Sequence, residues 1–398
     1  MDLRTGAAFW PLRNGLIAVY PPLERDERCD VAVVGAGITG ALAARRLTEA
    51  DCDVILLDRH DVGMGSTAAC TGLLQYETDT SLGALASQMG IERAVRSWRL
   101  GLNAINDLET FCTDPSYGFT RRPSVYLAST RWDVRGLQAE RALRVEHGFD
   151  VAWLDRPEIA ERFGFKAHGA IQSRGDAEVD AYRLTHGVIA DAARRGARVY
   201  DRTDVTRVRA DRSGVMLTTN RGARVRAKRL VVAAGYEVAR QLRQDRGHLH
   251  STWAFVSEPV PDLSWWPDRC LIWETRRPYL YLRTTSDGRV MVGGEDEPWS
   301  TRHENIRLLA RKTGRLLEGF SKLFPRVHLE VAYAWAGVFG TTPDGLPCIG
   351  TIPEHPHTFF ALGYGGNGIT FSVTAAELVR DWWTGRPNPD AALFAFDR

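Results

Sequence analysis

Residues 31–58 constrain the fold more than any other part of the chain. They run Val-Ala-Val-Val-Gly-Ala-Gly-Ile-Thr-Gly, continue as an Ala- and Leu-rich stretch with helical spacing, and close on Asp-Val-Ile-Leu-Leu-Asp. A β-branched run, a glycine turn, a helix and a second apolar run ending in a carboxylate form the pattern of a dinucleotide-binding unit. Gly35 suits the tight turn, Gly37 the approach of backbone N–H groups to a pyrophosphate, and Gly40 close packing of helix on strand. The helix N-terminus near Ile38 adds positive potential. Asp58 follows Gly40 by eighteen residues, where a carboxylate can accept both hydroxyls of an adenosine ribose. The glycines alone would also fit a turn in an unrelated parallel sheet. The agreement of strand, helix, spacing and acid selects nucleotide binding.

A chain of 398 residues exceeds one ordinary core and implies two domains. Its 44% hydrophobic and 25% charged residues are those of a soluble globular protein. Fifty-one basic against 49 acidic residues leave a net charge of +2, with no long block of either sign, which argues against a nucleic-acid partner. Only Lys166, Lys228, Lys312 and Lys322 supply lysine, a bias read as genomic composition before function. The cysteines Cys29, Cys52, Cys70, Cys112, Cys270 and Cys348 show no metal-ligand spacing. Free thiols in a reducing cytoplasm, and no metal site, are the expectation. The first thirty residues lack an apolar secretion core, and no stretch approaches eighteen apolar residues, so no export signal and no membrane span are expected.

Later segments decide which dinucleotide is bound. Gly63 to Leu74 is a run of small residues whose backbone can approach a flat ligand closely. Tyr182 to Arg195 has helical spacing, and short strands are expected at 197–200 and 204–208. A hairpin is expected at 215–219 and 223–225, then a buried strand from Leu230 to Gly235. The stretches near 119–166 and 251–331, the second rich in Trp, Tyr and Pro, read as one substrate domain assembled from two insertions. Near the C-terminus Gly363-Tyr-Gly-Gly-Asn-Gly-Ile-Thr370 opens a helix reaching about Trp383, a second anion site distant in sequence from the first. Two such sites suit FAD: one holds the pyrophosphate, and the other faces the pyrimidine edge of the isoalloxazine, where amide donors stabilise the anionic reduced ring.

Taken together, Gly35-Ala-Gly-Ile-Thr-Gly40, Asp58, Gly65-Ser-Thr67, Leu230 to Gly235, Trp335-x-Gly337, Pro343-Asp-Gly345 and Gly363 to Thr370 resemble the D-amino-acid oxidase superfamily of FAD-dependent oxidoreductases over nearly the whole chain. Tyr281-x-Arg283-x-Thr285-x-Asp287-x-Arg289 running into Gly293-Gly294, the last glycine loop, and a strap at Phe9 to Arg28 are similar to the γ-glutamylputrescine oxidase-like branch. The resemblance implies a GR2-type, Rossmann-like α/β FAD/NAD(P)-binding domain with an inserted α+β substrate domain. Residues 28–118, 167–250 and 332–398 would form the discontinuous FAD-binding domain, 119–166 and 251–331 the substrate domain, and 1–27 the strap.

By the same resemblance, FAD would contact Gly35, Ala36, Gly37, Ile38, Thr39 and Gly40 at the first turn, and Asp58 and Arg59 at the ribose. Gly65, Ser66, Thr67, Thr71, Gly72 and Leu73 would border the ring, with Val205, Ala234 and Gly235 on the sheet side. Gly337, Asp344, Gly365, Gly366, Asn367, Gly368, Ile369 and Thr370 complete the set. Relatives that bind FAD covalently do so at positions that hold Gly337 and Ala69 here, so non-covalent FAD is implied. Cys70, beside the second position, is better read as a small apolar filler.

The family's substrate-carboxylate clamps are replaced: one Arg pair by Phe339 and Gly366, and an Arg and Lys pair by Gln75 and Thr370. An amine whose charged group lies away from the reacting carbon is therefore favoured over a simple α-amino acid. Gln75, Tyr281, Arg283, Phe339 and Tyr364 are the substrate candidates. Arg283 is either a remote anchor or a salt-bridged strand residue, and Trp253, Trp273 and Tyr279 either roof a pocket or fill the core. Met291 stands where relatives carry an oxygen-activating Lys, which does not separate oxidase from dehydrogenase. The expected reaction is hydride transfer from an amine-bearing carbon to flavin, then hydrolysis of the imine, with oxygen or another acceptor reoxidising the flavin. No catalytic side chain is assigned. A hydroxy-acid dehydrogenase would need a His near the flavin face, and the three flavin loops hold none but His60. An RNA-modifying flavoprotein would need a basic surface that the charge balance does not provide.

Overall fold

The computed structural model describes residues 4–235, 248–300 and 305–398. The parts of the strap and of the two domains at 1–3, 236–247 and 301–304 lie outside the described residues. The nucleotide-binding sheet centres on Glu27–Val34, paired in parallel with Val54–Leu57 on one side and Arg224–Val232 on the other. Arg198–Tyr200 extends it beyond Val54–Leu57. Val54–Leu57 is buried throughout, as a parallel strand covered on both faces must be.

The hairpin expected from sequence forms, and its second arm merges with the later buried strand into one strand, Arg224–Val232. Its first half alternates exposed Arg224, Arg226 and Lys228 with buried Val225 and Ala227 and pairs antiparallel with Gly214–Thr219. Its last three residues, Leu230, Val231 and Val232, are apolar and buried and pair in parallel with Thr358–Leu362. The change of pattern marks where one face gains its cover, and the chain stays extended across it.

Two helix N-termini converge on this sheet. Ile38–Thr48 springs from the turn at Gly35, which has φ 103°, and packs against Gly368–Thr384 and Ala181–Arg194. A Cβ on Gly40 would coincide with the carbonyl oxygen of Gly35, so only glycine lets this helix lie so close to the turn. The Thr39 and Ser372 hydroxyls meet at 2.8 Å, tying the first nucleotide helix to the last.

A second, nine-stranded mixed sheet carries the other half of the molecule. It includes Ser124–Leu127, Ala170–Ser173, Leu280–Thr284, Val290–Pro298 and Val331–Thr341. Ala170–Ser173 and Val331–Thr341 thus join the substrate sheet, although the reading from sequence gave 167–250 and 332–398 to the FAD-binding domain. The strap belongs there too, since Arg4–Gly6 pairs with Trp335–Gly337. Within 251–331, where no helix was placed from sequence, Ile306–Leu323 is an amphipathic helix. It turns Leu309, Lys312, Leu316 and Phe320 inward at helical spacing.

Among the described residues, no helix is long and apolar enough to cross a membrane, and no group of His, Cys, Asp and Glu could hold a metal ion.

Candidate active site

A cavity of about 780 Å³ runs from the Gly35 turn to the face of the nine-stranded sheet. Gly35, Gly37, Ile38 and Thr39 line its first end, with Asp58, Arg59, Val205, Ala234 and Gly235 around them. Asp58 is fixed by its own loop: Oδ2 accepts the Ala36 N–H at 2.6 Å and Oδ1 the His60 N–H at 2.8 Å. Burial raises the proton affinity of this carboxyl despite those donors, and further donors such as ribose hydroxyls would favour its ionised form. Ala36 and Gly40 do not line the cavity; they shape the turn and seat the helix. Ile38 donates its N–H to the Thr67 hydroxyl at 3.1 Å, so the Gly65-Ser-Thr segment holds the start of the helix.

The wall continues through Gly65, Ser66, Thr67, Ala69, Cys70, Thr71 and Leu73, and through Gly337, Gly365, Gly366, Asn367, Gly368 and Ile369 opposite. Gly368–Thr384 has no side-chain cap, and its first residues face the cavity, which leaves amide N–H groups for an anionic ligand edge. Asn367 instead spends its side chain on the carbonyls of Gln75 and Glu77, at 2.9 and 2.8 Å. These bonds fasten the last glycine loop to residues 75–77. Two uncapped helix N-termini opening on one elongated cavity fit FAD, with the Ile38 end for its pyrophosphate and the Gly368 end for its ring.

Four more of the residues named from sequence do not line the cavity. Asp344 is clamped by Arg398 at 2.7 and 2.8 Å, and Thr370 is buried with its hydroxyl on the Asn367 carbonyl. Gly72 lies behind the wall, its carbonyl held by Arg283. Arg283 itself is no substrate anchor. It is 2% exposed, donates to the carbonyls of Thr71, Gly72, Val179 and Thr284 and lies 3.4 Å from Glu178, so its charge is consumed inside the protein. Trp253 is core beneath the Lys312 ammonium, and Met291 packs with Phe9, Trp10, Tyr182 and Trp335.

The other end of the cavity is lined by Gln75, Tyr281, Phe339 and Tyr364, the residues named as substrate candidates, together with Trp273 and Tyr279. It also contains three acids that the reading from sequence missed: Glu77, Asp79 and Asp296. Asp79 Oδ1 accepts the Tyr279 hydroxyl at 3.0 Å. Burial, reinforced by the charge of Asp79, lifts the Asp296 carboxyl to about 6. Among the described residues, the histidines lining the cavity are His60, next to Asp58, and His355, which packs on Phe360 of the nucleotide sheet. Neither stands at that end of the cavity.

Two results are expected at the cofactor. Asp58→Ala should weaken FAD binding by about 1 to 3 kcal/mol through loss of charge-assisted hydrogen bonds; an unchanged affinity on titrating the refolded apoprotein would place the ribose elsewhere. Acid or heat should release all flavin from the precipitated chain. A Cβ at Gly337 would sit 3.4 Å from that of Ala69, and neither residue offers a nucleophile. Burial also raises the Cys70 thiol away from its reactive thiolate form. Flavin retained on the pellet would contradict this.

Comparison with known proteins gives this geometry its place. The family model described as DAO, FAD dependent oxidoreductase, matches residues 30–382. The chain is 28% identical to glycine oxidase of Geobacillus kaustophilus over 89% of its own length and 92% of that protein's. It is 24% identical to gamma-glutamylputrescine oxidoreductase of Escherichia coli, over 92% and 85% of the two chains. The crystal structure of the Geobacillus kaustophilus glycine oxidase superposes with a TM-score of 0.80 at 26% identity, covering 94% of this chain and 99% of that one. The mixed sheet over a GR2-type nucleotide domain, the paired helix N-termini and these matches lead to one conclusion: the chain belongs to the DAO family of FAD-dependent oxidoreductases.

Proposed function

We propose that this flavoenzyme oxidises the C–N bond of a primary or secondary amine that bears no carboxylate on the reacting carbon. The observation that carries the reading is the charge of the substrate end. Asp79 and Asp296 line it, whereas the one arginine lining the cavity among the described residues, Arg59, follows Asp58 at the other end. A carboxylate beside the reacting carbon would meet like charges and no cation.

FAD, when bound, supplies the acceptor for the hydride leaving the amine-bearing carbon; an imine results, which water hydrolyses to a carbonyl, and oxygen or another acceptor reoxidises the flavin. The chain positions and shields. Tyr281 and Trp273 present apolar faces that exclude water from the reacting carbon. The N–H groups at the start of Gly368–Thr384 stabilise negative charge where electrons accumulate. No side-chain base is needed, because the amine reacts as the neutral species, and none of the lining histidines stands where a hydroxyl proton would have to be removed.

The test is anaerobic bleaching of the flavin absorbance by a panel of amines, α-amino acids and 2-hydroxy acids. Amines without an α-carboxylate should bleach fastest. Rapid bleaching by 2-hydroxy acids, with none by amines, would replace this reading by a hydroxy-acid dehydrogenase.

A further inference from the structure

Gly366 lines the cavity without a side chain, and the space beside it is taken by an acid. A Cβ on Gly366 would lie 3.1 Å from Asp79 Oδ2. Asp79 is in turn held by the Tyr279 hydroxyl. Asp296 also lines the cavity, near enough to feel the charge of Asp79; the Thr252 hydroxyl is its neighbour, and its Oδ1 is shielded from solvent without a close hydrogen-bond partner. Glu77, itself only 3% exposed, also lines the cavity, but it is already engaged, by Arg144 at 3.3 Å and by the neighbouring buried Asp176. Leaving carboxylate oxygens buried and unmatched is unfavourable unless something positive meets them.

The walls between these acids are aromatic. The Tyr281 ring lies flat over Gly293, where a Cβ would overlap it, and a Cβ on Gly294 would strike the Tyr279 carbonyl. The Gly293-Gly294 pair therefore sets where both tyrosines stand. Tyr279 and Tyr281 have ring centroids 5.7 Å apart, tilted at 49°. Trp273 is held in place by stacking on Tyr126 at 3.7 Å. Faces of this kind attract a cation that has shed its water. The nearby protein cations do not fill the role. Lys312 binds Glu295 and Glu297, and Arg277 donates to the carbonyls of Glu274, Thr275 and Arg276. Neither lines the cavity.

We propose that the substrate carries a second, positively charged group remote from the oxidised carbon, seated between Asp79 and Asp296 against Tyr279, Tyr281 and Trp273. The substrate class is thus a diamine, or an amine ending in a guanidinium or quaternary ammonium. This rests on the amine-oxidase reading for its chemistry, but the binding site stands on its own residues. One carbon is oxidised while the far cation fixes how deeply the chain enters, so the site selects by length as well as by charge.

Two measurements on the FAD-loaded protein separate the binding claim from the reaction. The first is binding of a linear alkyltrimethylammonium ion, which lacks an oxidisable primary or secondary amine, read from the perturbation of the flavin spectrum, against the uncharged tert-butyl analogue of equal length. The cation should bind about tenfold tighter or more. That preference should vanish in Asp296→Asn and in Asp79→Asn and survive in Asp296→Glu, with flavin content and far-UV circular dichroism unchanged. The second is anaerobic flavin reduction by a linear diamine and by the monoamine of the same length. The ratio of rate constant to dissociation constant should favour the diamine about tenfold or more, and Asp296→Asn should erase the difference. Equal binding of the charged and neutral probes, or a preference untouched by both substitutions, overturns the proposal. If the cation binds as stated but no amine reduces the flavin, the site is upheld and the amine-oxidase reading fails.

Discussion

Replacing Arg144 by methionine is expected to destabilise the protein by about 3 to 5 kcal/mol, the range for removing one partner of a buried ion pair. Arg144 has no exposed surface. Its guanidinium lies 2.9 Å from Glu140 and 3.3 Å from Glu77 and covers the Trp98 ring at 4.6 Å. Glu140 passes the connection on, accepting the Leu82 and Gly83 N–H groups at 2.9 and 3.0 Å at the start of the helix Leu82–Met89. Glu77 extends it to the last glycine loop, since its carbonyl receives Asn367. Nearby, Asp176 is pushed well above the usual carboxylate range by burial and then by the charge of Glu77. Methionine would fill the arginine's volume and leave Glu77 and Glu140 charged, buried and unpaired.

Guanidinium unfolding of the FAD-saturated protein measures this. A loss below about 1 kcal/mol, the range of exposed pairs, would mean that Arg144 is not buried between the two acids.

What the sequence disclosed and what it hid have physical causes. The βαβ unit was legible because its requirements are local: Gly35, Gly37, Gly40 and Asp58 lie within one supersecondary element, and their spacing reflects its geometry. The last glycine loop was legible for the same reason. Asp79 and Asp296 were not. They lie far apart in the chain, on a loop and at the end of the strand Val290–Pro298, and only the packing of the two halves brings both to one cavity. Arg283, readable from sequence either as a remote anchor or as a salt-bridged strand residue, has Glu178 and the Thr71 and Gly72 carbonyls packed against it. Period-two patterning tells which face a side chain leaves from, not what packs upon that face. The helix Ile306–Leu323 was readable from its inward spacing of Leu309, Lys312, Leu316 and Phe320, but the Trp- and Tyr-rich strands around it dominated the composition of 251–331.

The largest kinetic effect expected is discrimination against an α-carboxylate. Phe339 lines the cavity as a ring stacked on His250, with centroids 5.4 Å apart, and Gly366 has no side chain, so neither offers a cation. Gln75 lines the cavity as a neutral amide, and Thr370 turns its hydroxyl to the Asn367 carbonyl. A carboxylate on the reacting carbon would be buried without a cation, and Asp79 and Asp296 would oppose it. An unpaired buried ion costs several kcal/mol. At about 1.4 kcal/mol per tenfold, that is a factor of about a hundred or more in kcat/KM. Glycine, sarcosine and D-alanine should therefore reduce the flavin at least about a hundredfold less efficiently than an amine of the same length lacking the carboxylate. Asp79→Asn combined with Asp296→Asn should narrow that gap from both sides, because it removes the repulsion of the acid as well as the attraction for cationic amines. Rapid anaerobic reduction by a small α-amino acid in the unmodified enzyme would show that a carboxylate anchor exists. Gln75 or the N–H groups beginning Gly368–Thr384 would then be the groups to test for it.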